Sequence, residues 1–163
     1  MLKSLLTLGI VTAIHASSAL ALGPEMIGKP APAFRLQTID GRSTISLEDC
    51  RGKVVIIDFW ASWCAPCRRS LHKLAALEAA NSMVRLLAIT VDDERQNAVE
   101  FLKRNSIRLT PLYDDMKRVA GQYGIPEMPS ALIIDARGVV RFVHAGYSES
   151  EIEVMRKEVE GLL

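Results

Sequence analysis

Two cysteines, Cys64 and Cys67, stand in C-x-x-C spacing between the strand-like apolar run Val54–Trp60 and a helix-like stretch. A dithiol so placed can cycle between reduced and oxidised forms. The thiolate is the species that attacks disulfides, and the unpaired N–H groups and positive dipole end of a helix N-terminus stabilise it. Cys64 is the candidate nucleophile; Cys67, one turn further in, is placed to resolve a mixed disulfide by intramolecular attack. Pro66, between them, fixes φ and lacks an N–H, which suits the first turn of a helix and gives it a positioning role. Ala65 offers no hydrogen-bond donor or positive charge, so the Cys64 thiolate is less stabilised than a histidine there would make it. The same spacing occurs in zinc sites, but Cys50, His72 and His144 do not supply a second ligand pair. Redox chemistry with no bound metal is the expectation. No glycine-rich phosphate loop, Ser-His-Asp order or paired-carboxylate pattern occurs, and no cofactor is expected.

Asp58 lies within the otherwise apolar run before the cysteines. If buried it is costly and its pKa should rise, which fits a general base acting on Cys67; the alternative is a strand aspartate facing solvent. Pro129 follows Met128 and precedes the strand-like Ser130–Ile134. Proline cannot sit inside a ladder, but a cis X-Pro bond is tolerated where a strand begins; an ordinary trans turn proline, like Pro126, is the alternative. Cys50 reads as a small buried hydrophobe, with a reactive or intermolecular thiol as the other possibility. His72 and His144 read as surface or core histidines rather than ligands.

These residues need elements to position them. Val54–Trp60, a nearly continuous β-branched and aromatic run, reads as a central strand buried on both faces. Phe34, Leu36 and Thr38, a turn at Asp40-Gly41, and Thr44–Leu47 read as a β-hairpin. Leu71, Leu74, Ala75 and Glu78 share one helical face ending near Asn81. Val84–Val91 returns to strand; Ala98, Phe101 and Leu102 mark a second helix closing near Asn105; Leu109–Tyr113 is a short apolar piece. Met116, Val119, Ala120 and Tyr123 repeat helical spacing before Gly124. Ala131–Ile134 and Val139–Val143 are strands joined by a tight turn at 135–138. Ser148 and Glu151 form a capping-box signature ahead of Ile152, Met155, Val159 and Leu162. The order β-α-β-α, then β-β-α, gives an α/β fold with a mixed sheet and helices on both faces.

The chain has 163 residues, enough for one domain with a core of its own. Twenty basic residues balance 19 acidic ones, without long runs of one sign, so there is no electrostatic footprint for nucleic acid; the Arg68-Arg69 pair reads as a solvated helix face. Residues 1–21 read as a signal peptide: Lys3, an apolar stretch from Leu5 to Ile14, and the small-x-small site Ala19-Leu20-Ala21. Cleavage after Ala21 leaves 19 basic against 19 acidic groups; an uncleaved anchor is the alternative. Residues 22–32, rich in glycine and proline, read as an extended linker before the domain at 33–163.

Asp58-Phe59-Trp60-Ala61-x-Trp63-Cys64-x-Pro66-Cys67, together with Met128-Pro129, resembles the active-site signature of the thioredoxin superfamily, and the wider pattern resembles its extracytoplasmic TlpA/ResA-like branch. The resemblance runs from about Ala33 to the C-terminus. It implies a thioredoxin-like fold with an N-terminal β-hairpin and a central insertion, here within 92–123. It also implies a thiol:disulfide oxidoreductase that reduces disulfides in periplasmic or other extracytoplasmic proteins. By the same resemblance Trp63 lies on the docking surface, Met128 and the cis-proline Pro129 pair with the substrate chain, and Asp58 helps deprotonate Cys67. The Ala65-Pro66 pair resembles reducing members more than oxidising ones. A membrane electron donor of the DsbD/CcdA type is implied as partner, and apocytochrome c before haem attachment is the substrate the branch most often suggests. Many TlpA-like sequences carry an uncharged amide where this chain has Asp58, a departure toward thioredoxin. The peroxiredoxin pattern of proline and threonine ahead of a lone cysteine is absent around Cys64. A copper-handling module using the dithiol is the alternative from another class.

Overall fold

In the computed structural model, which describes residues 22–163, seven strands form one sheet: β1 (Arg35–Thr38), β2 (Thr44–Ser46), β3 (Val54–Trp60), β4 (Val84–Thr90), β5 (Leu112–Tyr113), β6 (Ser130–Ile134) and β7 (Val140–Ala145). Their spatial order is β2-β1-β5-β4-β3-β6-β7. The β3–β4 and β4–β5 pairs are parallel and the rest antiparallel, so the sheet is mixed. Four helices accompany it: α1 (Cys67–Ala80), α2 (Arg95–Arg104), α3 (Arg118–Gln122) and α4 (Glu149–Glu160). A parallel pair needs a crossover, and α1 supplies the one between β3 and β4.

Every residue of β3 is buried, as a run apolar but for Asp58 requires of a strand covered on both sides. Side chains alternate across the sheet. Val54, Ile56 and Trp60 meet Leu71 and Leu74 of α1, Phe101 of α2, and Ile152, Met155 and Val159 of α4. Val55, Ile57 and Phe59 pack on the other side with Phe34, Leu47, Cys50, Val119 and Tyr123. Helices therefore lie on both faces, but unevenly, with the three longer ones on the side of β3 that faces α1.

Two expectations need correction. Residues 22–32, read as a linker, are folded onto the domain. Pro24–Met26 makes one 3₁₀ turn, Met26 is 1% exposed in the second core cluster, and backbone bonds from Gly28 N to Val140 O, Val140 N to Lys29 O and Ala31 N to Gly138 O strap the stretch along β7. The glycines and prolines shape this strap rather than loosening it, and a single methionine anchors it without any periodicity to announce it. Met116, counted on a helical face, is instead 67% exposed. The chain turns left-handed at Lys117 (φ 53°), and the Asp114 carboxylate accepts a bond from Ala120 N at 2.8 Å, so the helix begins only at Arg118. The expected signal peptide, 1–21, lies outside the described residues.

The capping box at α4 is half formed. Ser148 Oγ accepts from Glu151 N at 3.0 Å, but the Glu151 carboxylate turns to His144 Nδ1 instead, while His144 Nε2 meets Glu158 at 2.7 Å. His144 is buried, and it ties β7 to α4. Ser148→Ala leaves an orphan donor at the helix start and is expected to cost about 1 kcal/mol, read as a lower urea midpoint at unchanged m-value.

Candidate active site

The site is built where β3 ends. Ala61 to Pro66 makes two consecutive turns, Cys64 N donating to Ala61 O and Cys67 N to Cys64 O, both at 3.1 Å. Helix α1 then starts at Cys67 with Pro66 in the cap position, its φ of −68° already helical, and its carbonyl takes bonds from Arg69 N and Ser70 N. Cys64 thus lies just ahead of the helix, in the path of its unpaired N–H groups. The two cysteines are joined as a disulfide with Cα atoms 5.4 Å apart. Cys64 is 4% exposed and Cys67 not at all, so only Cys64 can be approached from outside.

Asp58 lies on the α1 side of β3, since it alternates in phase with Ile56 and Trp60. It is completely buried, which excludes the solvent-facing alternative. Its Oδ1 accepts from Ser70 Oγ at 3.4 Å, and Oδ2 has no partner. Ser70 is three residues beyond Cys67 on α1, so the carboxyl sits beneath the turn that carries the second cysteine. Burial pushes its pKa up to about 8, and the Ser70 hydrogen bond offsets only part of that. Trp60 Nε1, two residues along on the same side, is also buried without a partner. Unsatisfied buried polar groups cost stability, and a fold tolerates them chiefly where chemistry needs them. Trp60 itself is core, stacked 5.5 Å from Phe101, whereas Trp63 is 70% exposed beside Cys64.

The Met128–Pro129 bond is cis. Strand β6 runs antiparallel to β3 with Ser130 opposite Phe59, so one residue further Pro129 comes level with Trp60, at the strand end from which the Cys64 loop departs. The Pro129 carbonyl is taken by Gly146 N at 2.8 Å, whereas the N–H and C=O of Met128 have no protein partner among the described residues. Met128 is half-buried, packs against the core cluster holding Cys64 and Cys67, and lines a cleft of about 280 Å³ with Val91, Ala120 and Ile125.

The sequence reading missed Asp92. Its carboxylate, 1% exposed, takes bonds from Ser62 N (3.1 and 3.0 Å), Ser62 Oγ (2.5 Å) and Thr90 Oγ1 (2.7 Å). It therefore clamps the loop two residues ahead of Cys64 onto the end of β4. The available signal was the Thr-x-Asp placement straight after an apolar strand. Asp92→Ala strands the Ser62 donors and should cost about 2–3 kcal/mol in urea denaturation, with Asp92→Asn recovering part of it.

A redox-active C-x-x-C at the end of a central strand, a helix opening on its second cysteine and a cis-proline on the neighbouring antiparallel strand define a thioredoxin-like disulfide-exchange protein. The chain belongs to the AhpC/TSA family, whose sequence profile matches residues 27–143. It is similar to the thiol:disulfide interchange protein DsbE of Escherichia coli, 34% identical over 129 residues that make up 77% of this chain and 68% of that protein. It is similar also to the thiol-disulfide oxidoreductase ResA of Geobacillus thermodenitrificans, 31% identical over 127 residues, 77% of this chain and 72% of that one. Among solved structures, a putative DsbE from Chlorobium tepidum superposes with a TM-score of 0.78 at 30% identity, covering 83% of this chain and 96% of that one. Thiol:disulfide oxidoreduction of the DsbE/ResA type is thus the activity of this site.

Proposed function

We propose that the protein is an exported reductase of disulfides in extracytoplasmic proteins. The observation that carries this reading is the site's division of labour: a nucleophile with a small exposed edge, a resolving thiol with no exposure, and a buried carboxyl under the helical turn that bears it. The Cys64 thiolate attacks a substrate disulfide; a Cys64–substrate disulfide forms and one substrate thiolate leaves. Asp58, as carboxylate, takes the Cys67 proton, and the Cys67 thiolate attacks Cys64 Sγ. The Cys64–Cys67 bond forms, the second substrate thiolate leaves, and two electrons have passed to the substrate. The raised pKa of Asp58 supports this role, because a proton acceptor works best when its pKa lies near the working pH.

Met128 supports substrate pairing with its free N–H and C=O, beside the cis-proline Pro129, while Trp63 offers an exposed aromatic face for docking. Ala65 and Pro66 supply nothing to stabilise the Cys64 thiolate, which favours the disulfide of the protein over its dithiol and so a reducing potential. A reductase in an oxidising compartment must be recharged, so a membrane dithiol donor of the DsbD/CcdA type completes the cycle. Apocytochrome c is the substrate we assign first. Export rests on residues 1–21 read as a signal peptide; no helix among the described residues is long and apolar enough to cross a membrane.

The test is to titrate the Cys64–Cys67 pair against defined thiol:disulfide buffers, following thiol alkylation and tryptophan fluorescence. A midpoint near that of thioredoxin, about −270 mV, supports a reductase; one near about −120 mV, as for strong oxidants, reverses the direction. Failure to form the disulfide removes the catalytic reading altogether.

A further inference from the structure

We infer that the cleft beside the active-site helix is a docking surface for an acidic segment of the partner polypeptide, close in sequence to the cysteine that Cys64 attacks. The inference rests on the disulfide-exchange reading and gives its substrate a charge. The cleft, about 400 Å³, lies between the outer side of α1, the end of α2 and the start of α4. Arg68, Arg69, Lys73 and Arg104 line it against a single carboxylate, Glu149, which already accepts from Tyr147 Oη at 2.7 Å. All four cations are exposed and none forms an ion pair among the described residues.

The chain's total charge is nearly balanced, so four cations gathered against one carboxylate are a local excess of positive charge. Two of the four also stand where helix electrostatics disfavours them. Arg68 and Arg69 occupy the first turn of α1, at the positive end of its dipole, which is where acidic residues are normally placed, and α1 has none there. The arrangement makes poor sense for the isolated helix and good sense if an anion arrives from outside.

The cleft also connects to the reacting pair. Arg68 and Arg69 are shared with a second depression, lined by Ala65, Pro66 and Tyr147, that leads to the C-x-x-C itself. A chain whose cysteine is bonded to Cys64 and which runs along this depression brings its next residues past Arg68 and Arg69, which the two depressions share. Carboxylates at those positions meet a concave cluster of arginine and lysine, which steers encounter and selects one substrate over another more than it adds raw affinity. The continuity with the active site favours a polypeptide over a lipid surface.

The test uses two synthetic peptides with the same intramolecular disulfide, one flanked by glutamate and aspartate, the other by lysine. The reduced protein is mixed with each oxidised peptide in a single turnover, in which protein dithiol becomes disulfide and peptide disulfide becomes dithiol, so no other reductant is needed. Each rate is divided by the same protein's rate with hydroxyethyl disulfide, which cancels changes in intrinsic Cys64 reactivity. At low salt the acidic peptide is expected to react about tenfold faster than the basic one, and the difference should vanish by about 0.5 M salt. The K73Q/R104Q variant, altered away from the cysteines, should lose most of the preference. Equal rates, a basic preference, or an acidic preference that survives K73Q/R104Q would overturn the inference. Adsorption to phosphatidylglycerol vesicles with no peptide preference would assign the patch to a lipid surface and overturn it too. If hydroxyethyl disulfide itself does not react, the disulfide-exchange reading fails, and the inference with it.

Discussion

Cys64→Ser is expected to lower disulfide reduction by at least about 10³-fold, the scale of losing a covalent nucleophile, whereas Cys67→Ala should leave the first attack intact and stop the cycle after it. The reason is steric before it is electronic. Cys64 has the only exposure in the pair and sits ahead of the first turn of α1, while Cys67 is sealed beneath that turn. A substrate disulfide can reach one sulfur, and only the other sulfur is close enough to displace it. In Cys67→Ala the mixed disulfide on Cys64 has no internal attacker and should persist until outside thiol is added. Mass spectrometry of the trapped adduct checks this. Accumulation of the adduct in Cys64→Ala instead would exchange the two roles.

Asp58→Asn is expected to move stability and turnover in opposite directions. The Asp58 carboxyl has its pKa raised from an ordinary 3.8 to about 8 by burial. A group whose folded pKa stands above its unfolded value holds its proton more tightly in the folded state. Folding is therefore undiminished by Asp58 below pH 3.8, loses stability as pH rises through the window to about 8, and carries the full penalty above it. Asparagine keeps the size and a partner for Ser70 but never ionises. Its advantage over the native protein should be near zero at pH 4 and rise to on the order of 5 kcal/mol at pH 9. Urea denaturation at the two pH values reads this directly, and a pH-independent difference would mean that the carboxyl is not held in the buried state described. Over the same range, resolution by Cys67 should slow by about 10²-fold and lose its dependence on a group titrating near pH 8, as removal of a general base requires.

What the sequence made legible follows from range. The Cys64–Cys67 spacing, the nearly continuous apolar run of β3 and the helical face of Leu71 and Leu74 are local patterns, and each appears where the sequence pattern put it. Pro129 was readable because a proline beside a strand has few permitted settings, and the cis bond is one of them. Asp58 stood out because a carboxylate in an apolar run conflicts with its surroundings. Asp92 did not, since an aspartate after a strand also fits an ordinary loop, and its value depends on Ser62, thirty positions away in the chain. The strap at 22–32 was hidden for a related reason: backbone bonding to β7 leaves no periodic mark, and the turn residues that allow it equally describe a free linker. His144 was read as surface or core, and its burial between Glu151 and Glu158 follows from the packing of α4 on β7 rather than from any motif.

Cys50 lies among Met26, Phe34 and Leu47, on the opposite side of the sheet from Cys64 and Cys67. Burial pushes its thiol pKa up, which keeps it protonated and a poor nucleophile. In a protein whose work is swapping sulfur partners, the sheet thus acts as a partition. The third sulfur can neither intercept a mixed disulfide on Cys64 nor capture Cys67, so the oxidised molecule has a single covalent form and no scrambled isomers to drain it.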